Sequence, residues 1–591
     1  MIGRLVVDDI RPRTPTGFPA KAVVGEKVRI TAVVFKDGHD PIAARAILLN
    51  EAPSNKKGTH TAEKPVVITE MTPLGNDEWE GYVVPEGIGP HWIVVEGWSQ
   101  KDGPVDAEKA ADLTRSEPHQ LWVDRERALV GAWYELFPRS YGGFDGAAKR
   151  VPDLAAMGFD VLYLPPIHPI GHTARKGPNN TLAAGPDDPG SPWAIGSEEG
   201  GHTAIDPDLG TLHEFHRLVA VAEENGMEVA LDYALQCSPD HPWVTQHPEW
   251  FHHRADGTIA CAENPPKVYQ DIFPLNFWPP KEKDRVAMWE ACKGIVDYWI
   301  AQGVNIFRVD NPHTKPVAFW RWLIAEVQQA NPQVVFLAEA FTRPKVMAKL
   351  AEVGFSQSYT YFTWRTEQHG PDGLRAYLEE LAHGPKADFM RPNFWPNTPD
   401  ILSGPLRNGP PAAFALRFIL AATMSPSYGV YSGYELYENE PASDTNEEYL
   451  HSEKYEIKVR EFDQPWSLEP LMRLVNRVRR RHPALQRLRS IEFHDTTNPQ
   501  IIAYSKVSDD GDDIVLTVVN LDPHFAQVAL VDIWSLGVPF GVPYTVVDEL
   551  SGESYEWRGS NPYIRLDPTY RVAHIFDITS AVEAPGTATA I

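Results

Sequence analysis

Cysteine is scarce in this chain. Cys237, Cys261 and Cys292 are the only three in 591 residues, too few for a disulfide framework, and no CxxC or His-rich spacing suggests a zinc site. Nor is there an unbroken run of about 18 apolar residues, so no helical membrane span is expected. Met1-Ile2-Gly3-Arg4-Leu5 turns acidic at Asp8-Asp9 without the apolar run of a secretory signal, and a cytoplasmic protein is the expectation. Basic side chains are also in deficit. The 54 Lys and Arg against 80 Asp and Glu leave a formal charge of −26, which argues against nucleic acid, an anionic membrane or a polyanionic substrate as partner. One local cationic pocket can still hold a phosphate.

Apolar and aromatic residues are abundant, with 18 Trp, 21 Tyr and 24 Phe. Most belong to cores, although sugar-binding clefts also use flat aromatic faces. Residues 1–107 read as an N-terminal β-sandwich, because short β-branched and aromatic runs such as Val28–Val34 and His91–Trp98 alternate with Gly, Pro, Asp and Asn. The polar stretch 101–118 leads into a linker assigned to 108–125. From 126 to 487 the pattern becomes strand then helix, repeated. Strands are expected at Leu129–Tyr134, Val161–Leu164, Glu228–Tyr233, Asn305–Asp310, Val334–Glu339, Ser358–Phe362, Pro392–Trp395 and Tyr428–Tyr431. That repetition predicts an α/β fold, a (β/α)8 TIM barrel. Its loop insertion around 236–276, rich in His, Pro and Trp, is expected over the barrel mouth. Strand signals return at 488–580, read as a C-terminal β-sandwich, and 581–591 as a tail.

In such a barrel the chemistry lies at the carboxyl ends of the strands. Asp310, Glu339 and Asp400 fall there. Side chains alternate along a strand, so Arg308 and Asp310 point the same way, and a neighbouring guanidinium favours an ionised carboxylate. Adjacent strands lie about 4.8 Å apart. Asp310 and Glu339 at neighbouring ends therefore match the separation of about 5–5.5 Å of a retaining glycosidase pair. Asp310 is the candidate nucleophile, Glu339 the acid/base and Asp400 a third acid gripping sugar hydroxyls. Spacing alone leaves a cap or salt-bridge role open for each.

Longer words narrow the field. Gly303–Asp310 (GVNIFRVD), followed in order by Glu339 and Asp400, resembles the α-amylase superfamily. Two departures stand out: Gln236-Cys237 replaces a common Asn-His, and Asn397-Thr398-Pro399-Asp400 replaces Asn-His-Asp. Five further stretches resemble the α-1,4-glucan:maltose-1-phosphate maltosyltransferases, the GlgE type: Gly131–Ser140 (GAWYELFPRS), Leu164–Gly171 (LPPIHPIG) with Arg175-Lys176-Gly177, Glu263–Lys267 (ENPPK), Asp310–Pro316 (DNPHTKP) and Ser452–Glu456 (SEKYE). The resemblance covers nearly the whole chain. It implies retaining transfer of maltosyl units from α-maltose 1-phosphate to the non-reducing end of an α-1,4-glucan, with phosphate released. It further implies that Asn264, Lys267, Tyr269 and Asn311 contact phosphate, that Lys176, Gln236, Lys454 and Tyr455 hold the maltosyl unit, and that Arg308 and His313 belong to the same site.

No cofactor and no catalytic metal are expected. Without a GxxxxGK[ST] loop, phosphate here belongs to a sugar rather than a nucleotide. A homodimer is a further expectation, although the helical insertion that serves dimer contacts in the family has only residues 101–118 in its place. The rival readings are an α-glucan hydrolase using the same acids and, from another class, a non-catalytic glucan-binding protein.

Overall fold

The computed structural model describes residues 4–581 apart from 53–64, 101–102, 183, 265–266, 371–372 and 540. The expected tail lies outside the described residues from 582 onward. Eight parallel strands form the central sheet: β1 (Gly131–Glu135), β2 (Val161–Leu164), β3 (Glu228–Tyr233), β4 (Ile306–Asp310), β5 (Val335–Glu339), β6 (Gln357–Tyr359), β7 (Pro392–Asn393) and β8 (Ser427–Tyr431). They pair in chain order, and β8 pairs back on β1. A parallel bridge between Phe394 and Tyr428 joins β7 to β8 and closes the ring. The Phe394 N–H donates to Ser427 O at 3.0 Å and the Gly429 N–H donates to Phe394 O at 2.9 Å. Closure needs glycine at 429, where a Cβ would stand 2.3 Å from the Trp395 ring.

These strands read as nearly unbroken apolar runs because both faces are covered. Trp133, Tyr163, Ala230, Ile306, Leu337 and Trp395 fill the barrel interior. Alternate residues such as Phe307 and Val309 face outward into the shell of helices. That shell includes Leu212–Glu224, Glu282–Ala301, Val317–Ala330, Pro344–Glu352, Leu374–His383, Pro411–Met424 and Glu469–Arg481. The first barrel helix, Phe144–Ala156, is disguised in the sequence by Gly146 and an internal Pro152. It forms because Phe144, Ala147, Val151 and Leu154 bury one stripe. The sixth strand is shorter than expected. It stops at Tyr359, and the Thr360 hydroxyl caps a 3-10 turn over Tyr361–Trp364 by accepting the Phe362 N–H at 3.3 Å.

Before the barrel, two sheets share one apolar core containing Leu5, Ile30, Val34, Leu48 and Val95. The stretch expected as a linker is partly sheet. His119–Asp124 pairs with Ala20–Val23 on one side and Gly89–Ser99 on the other, and Thr114–Arg115 pairs with Gly89–Ser99. The alternation of HQLWVD, burying Leu121 and Val123, outweighs the polar residues before it. Lys21 in this sheet reaches the barrel. Its buried Nζ donates to Ala351 O at 2.6 Å and also to Phe355 O. After the barrel, a six-stranded antiparallel sheet and a two-stranded pair enclose a separate core around Leu516, Val546, Trp557 and Phe576.

Candidate active site

β4 and β5 deliver the central acids. Asp310 and Glu339 are register partners at the ends of these adjacent strands. Arg308, two residues before Asp310, shares its inward face. The guanidinium donates from Nη1 to Asp310 Oδ1 at 3.1 Å and to Asp232 Oδ2 at 2.8 Å, while Nη2 lies 3.5 Å from Glu339 Oε1. Asp232, next to last in β3, also accepts from the Tyr163 hydroxyl at 2.6 Å and from Trp193 Nε1 at 3.3 Å. All four charged groups are buried.

One guanidinium cannot neutralise three buried carboxylates. Burial pushes Glu339 up to about 8, with Arg308 opposing and Asp310 and Asp400 adding to the rise. Burial likewise lifts Asp232 to about 7, against the pull of Arg308. Glu339 is thus set up to hold a proton near neutrality, as a general acid requires. Among the described residues nothing hydrogen-bonds Asp310 Oδ2, while its Oδ1 is held by Arg308 and by Asn311 Nδ2 at 3.3 Å.

Asn311 adopts the left-handed region, with φ 42° and ψ 53°. In that conformation its backbone N–H donates to Glu339 Oε2 at 3.1 Å. Lys315, buried and depressed in pKa by that burial, holds the turn by donating to the carbonyls of Asp310 at 3.1 Å and Asn311 at 3.2 Å. Asp400 comes from the tight turn Thr398–Ile401 and is bonded by the Lys454 ammonium.

Above the acids lies a cleft of about 390 Å³. Lys176, Gln236, Tyr269, Asp310, Asn311, His313, Asp400, Lys454 and Tyr455 all line it. Lys176 is buried and donates to Gln270 Oε1 at 2.7 Å, and Gln236 Nε2 donates to Trp193 O at 3.4 Å. His313 is half-buried; burial lowers its pKa and favours the neutral ring. Asn264 and Lys267 are backbone partners in the hairpin Ala262–Asn264/Lys267–Tyr269. Their side chains lie outside the described residues.

Cys237, one of the two departures, is fully buried, and burial raises its thiol pKa well above the usual range. It stands with His202 and His241 at metal-binding separations. Hydrogen bonds already engage the four ring nitrogens: His202 with Ala234 O at 2.9 Å and with His241 at 3.1 Å, and His241 with the Trp243 N–H at 3.0 Å. A hydrogen-bonded relay therefore accounts for the cluster.

Sequence reasoning did not single out Asp232, Trp193, Lys315 or Asp271 for the site. Asp232 carries nearly the same signal as Asp310, an acid at the carboxyl end of a barrel strand, one residue before its last, and Lys315 lies within the word Asp310–Pro316. Trp193 and Asp271 give no local signal, because loop folding alone brings them to the cleft.

The eight-stranded parallel barrel, with acids at the carboxyl ends of β4 and β5, is an amylase-like (β/α)8 fold. Solved structures agree on the fold: an α-amylase from Lactobacillus plantarum is 20% identical with a TM-score of 0.57, covering 77% of this chain and 100% of that one. A maltogenic α-amylase from Thermotoga neapolitana is 19% identical with a TM-score of 0.57, covering 76% and 99%. Full-length relatives are more specific. Alpha-1,4-glucan:maltose-1-phosphate maltosyltransferase 2 of Streptomyces coelicolor is 46% identical over 99% of this chain and 98% of its own. The like-named protein of Mycolicibacterium smegmatis is 42% identical over 98% and 97%. Family models match residues 3–102 as "Alpha-1,4-glucan:maltose-1-phosphate maltosyltransferase, domain N/S" and 493–578 as "GLGE, C-terminal". The chain belongs to the α-1,4-glucan:maltose-1-phosphate maltosyltransferase family and is an enzyme. The alignment to the Streptomyces coelicolor relative spans 672 positions, more than the 591 residues of this chain. That relative therefore carries residues this chain lacks. Among the described residues no helix is long and apolar enough to cross a membrane.

Proposed function

We propose that the chain moves maltosyl units from α-maltose 1-phosphate to the non-reducing end of an α-1,4-glucan, with retention of configuration and release of phosphate. The observation that carries the chemistry is the register pairing of Asp310 with Glu339, joined through Arg308. In the first step Asp310 Oδ2 attacks the anomeric carbon and the bond from that carbon to the phosphate oxygen breaks. The departing oxygen takes the Glu339 proton. In the second step Glu339, now ionised, removes the proton of an acceptor hydroxyl. The acceptor oxygen displaces Asp310, and two inversions give net retention. Asp400, bonded by Lys454, is assigned to sugar hydroxyls and to the positive charge that develops on the ring.

Phosphate leaves as an anion and needs neutral and cationic donors near Asp310. Tyr269 and Asn311 line the cleft there and support that role, and family resemblance adds Asn264 and Lys267. Lys176, Gln236, Lys454 and Tyr455 are assigned to the maltosyl unit, and Arg308 and His313 to the same subsite. We further propose three bodies, an N-terminal β-sandwich extended through Asp124, the barrel to residue 487 and a C-terminal β-sandwich over 488–580, in a cytoplasmic enzyme that forms homodimers.

The test is incubation with α-maltose 1-phosphate and a short maltooligosaccharide, following free phosphate and product mass. A ladder growing by two glucose units with matching phosphate is expected. Maltose released from glucan alone would favour hydrolysis, and no reaction in either assay would favour a binding protein.

A further inference from the structure

Where the last barrel helix meets the C-terminal sandwich, one histidine stands among three carboxylates. His482 caps the carboxyl end of the helix Glu469–Arg481, its N–H donating to Val478 O at 3.0 Å. Glu549 follows the strand Pro543–Asp548, and its N–H donates to Ile575 O at 2.8 Å, which holds it beside the strand Ala573–Asp577. Asp577 closes that second strand, and Asp513 precedes the strand Ile514–Asn520. The four come from separate segments, so no motif in the sequence announces them.

The His482 residue is 4% exposed. Its Nδ1 lies 2.7 Å from Asp513 Oδ1, and Asp513 Oδ2 accepts the Ala484 N–H at 2.9 Å. A carboxylate only accepts, so Nδ1 carries the proton of this bond. The same carboxylate–imidazole arrangement orients metal-binding histidines. Nε2 is buried and has no hydrogen-bond partner among the described residues. It faces Glu549 Oε1 at 3.8 Å, and an oxygen of Asp577 completes three ligand atoms all within 4.8 Å of one another. A proton on Nε2 would draw the carboxylate in to about 2.7–2.9 Å. A cation about 2.0–2.2 Å from each atom instead spans the observed gap. The cluster of His202, Cys237 and His241 differs, because its ring nitrogens are already engaged.

Charge points the same way. Glu549 and Asp577 bring two negative charges, which a divalent ion on a neutral imidazole cancels. Arg481 bonds Glu549 at Oε2, 2.9 Å away, and the Thr579 N–H donates to Asp577 Oδ1 at 3.0 Å. Both bonds fix the carboxylates, and Glu549 Oε1 remains turned toward the imidazole. The carboxyl end of a helix also carries partial negative charge, which favours a cation there. One imidazole with two carboxylates suits zinc and similar ions, whereas Mg2+ and Ca2+ take oxygen donors. None of these residues lines the catalytic cleft.

We propose that His482, Glu549 and Asp577 bind one divalent transition-metal ion of the Zn2+ class, with Asp513 orienting the imidazole. The ion ties the last barrel helix to the C-terminal sheet and takes no part in the chemistry.

The test strips the full-length enzyme with EDTA, removes the chelator and titrates with Zn2+. Bound zinc per chain, thermal unfolding and the zinc-edge X-ray absorption spectrum are measured. Wild type is expected to bind one Zn2+ in a shell of nitrogen and oxygen, and to melt at a higher temperature with zinc than without. His482→Gln and Glu549→Gln should raise the Kd about 100-fold or more, and Asp513→Asn about 10- to 100-fold. The near-isosteric Glu549→Gln and Asp513→Asn keep the test open if His482→Gln misfolds. Wild type that retains no zinc overturns the proposal, as does equal zinc binding by wild type and variants. Sulfur in the zinc shell also overturns it, because the ion would then sit at Cys237 or another cysteine.

Discussion

Asn311 donates its backbone N–H to the Glu339 carboxylate at 3.1 Å from a left-handed turn, while its side-chain amide donates to Asp310 at 3.3 Å. One residue thus links the two central acids through two different groups. Left-handed backbone costs an ordinary L-residue about 1–2 kcal/mol, and Asn less. Asn311→Ala should lower stability by about 1 kcal/mol, and Asn311→Gly should restore the stability without restoring the amide. Thermal unfolding and kcat/KM of the two variants separate backbone from side chain. Equal stability of Ala and Gly variants would remove the strain argument.

Asp310→Asn should reduce maltosyl transfer by about four orders of magnitude or more, since a double displacement has no substitute for its nucleophile. Folding should survive, because Asn fills the same space beside Arg308. Turnover within about tenfold of wild type would take Asp310 out of that role.

Glu339 makes two linked predictions. With its pKa raised to about 8, kcat/KM for α-maltose 1-phosphate should decline on the alkaline side as the acid loses its proton. The same rise means that the folded state binds this proton more tightly than the unfolded chain. Stability is therefore full below the ordinary carboxylate pKa and is lost as pH rises through about 8. Glu339→Gln should abolish most activity yet gain on the order of 1 kcal/mol of stability over wild type. That gain should be absent near pH 4, grow with pH and level off above 8. A pH-independent difference in melting temperature would contradict the buried-acid account.

The Lys315 ammonium donates to the backbone carbonyls of Asp310 and Asn311, so its effect should reach the chemistry through position. Lys315→Met frees the carbonyls of Asp310 and Asn311 from their clamp. We expect kcat to fall about 10- to 100-fold with little change in KM. A rise in KM with intact kcat would show instead that the ammonium binds substrate.

Lys21 tests the joint between the first sheets and the barrel. Lys21→Met removes the side-chain donor that reaches Ala351 O and Phe355 O, a loss of about 1–3 kcal/mol. Burial lowers the Lys21 pKa to about 7. The folded state thus prefers the neutral amine, and wild-type stability gains from this group as pH rises from about 7 toward the ordinary lysine value. The variant lacks that gain, so its deficit should widen over the same range. Calorimetry at pH 7 and pH 9 would check it, and a deficit that narrows at pH 9 would refute it.

Much of this protein was legible along the chain. Barrel strands buried on both faces must be almost wholly apolar, so Val161–Leu164 and Glu228–Tyr233 carry their own boundaries. Arg308 and Asp310 share a face because strand side chains alternate, whatever the rest of the fold does. The sequence could not reveal what depends on distant segments meeting. HQLWVD is a strand only because Ala20–Val23 and Gly89–Ser99 flank it, and Phe144–Ala156 is a helix despite Pro152 because the barrel rewards its buried stripe. Local pattern placed Asp310 and Glu339 at strand ends. Only the closed barrel set Asp232 against Arg308 and turned Asn311 back onto Glu339, since electrostatic environment depends on neighbours in space rather than in sequence.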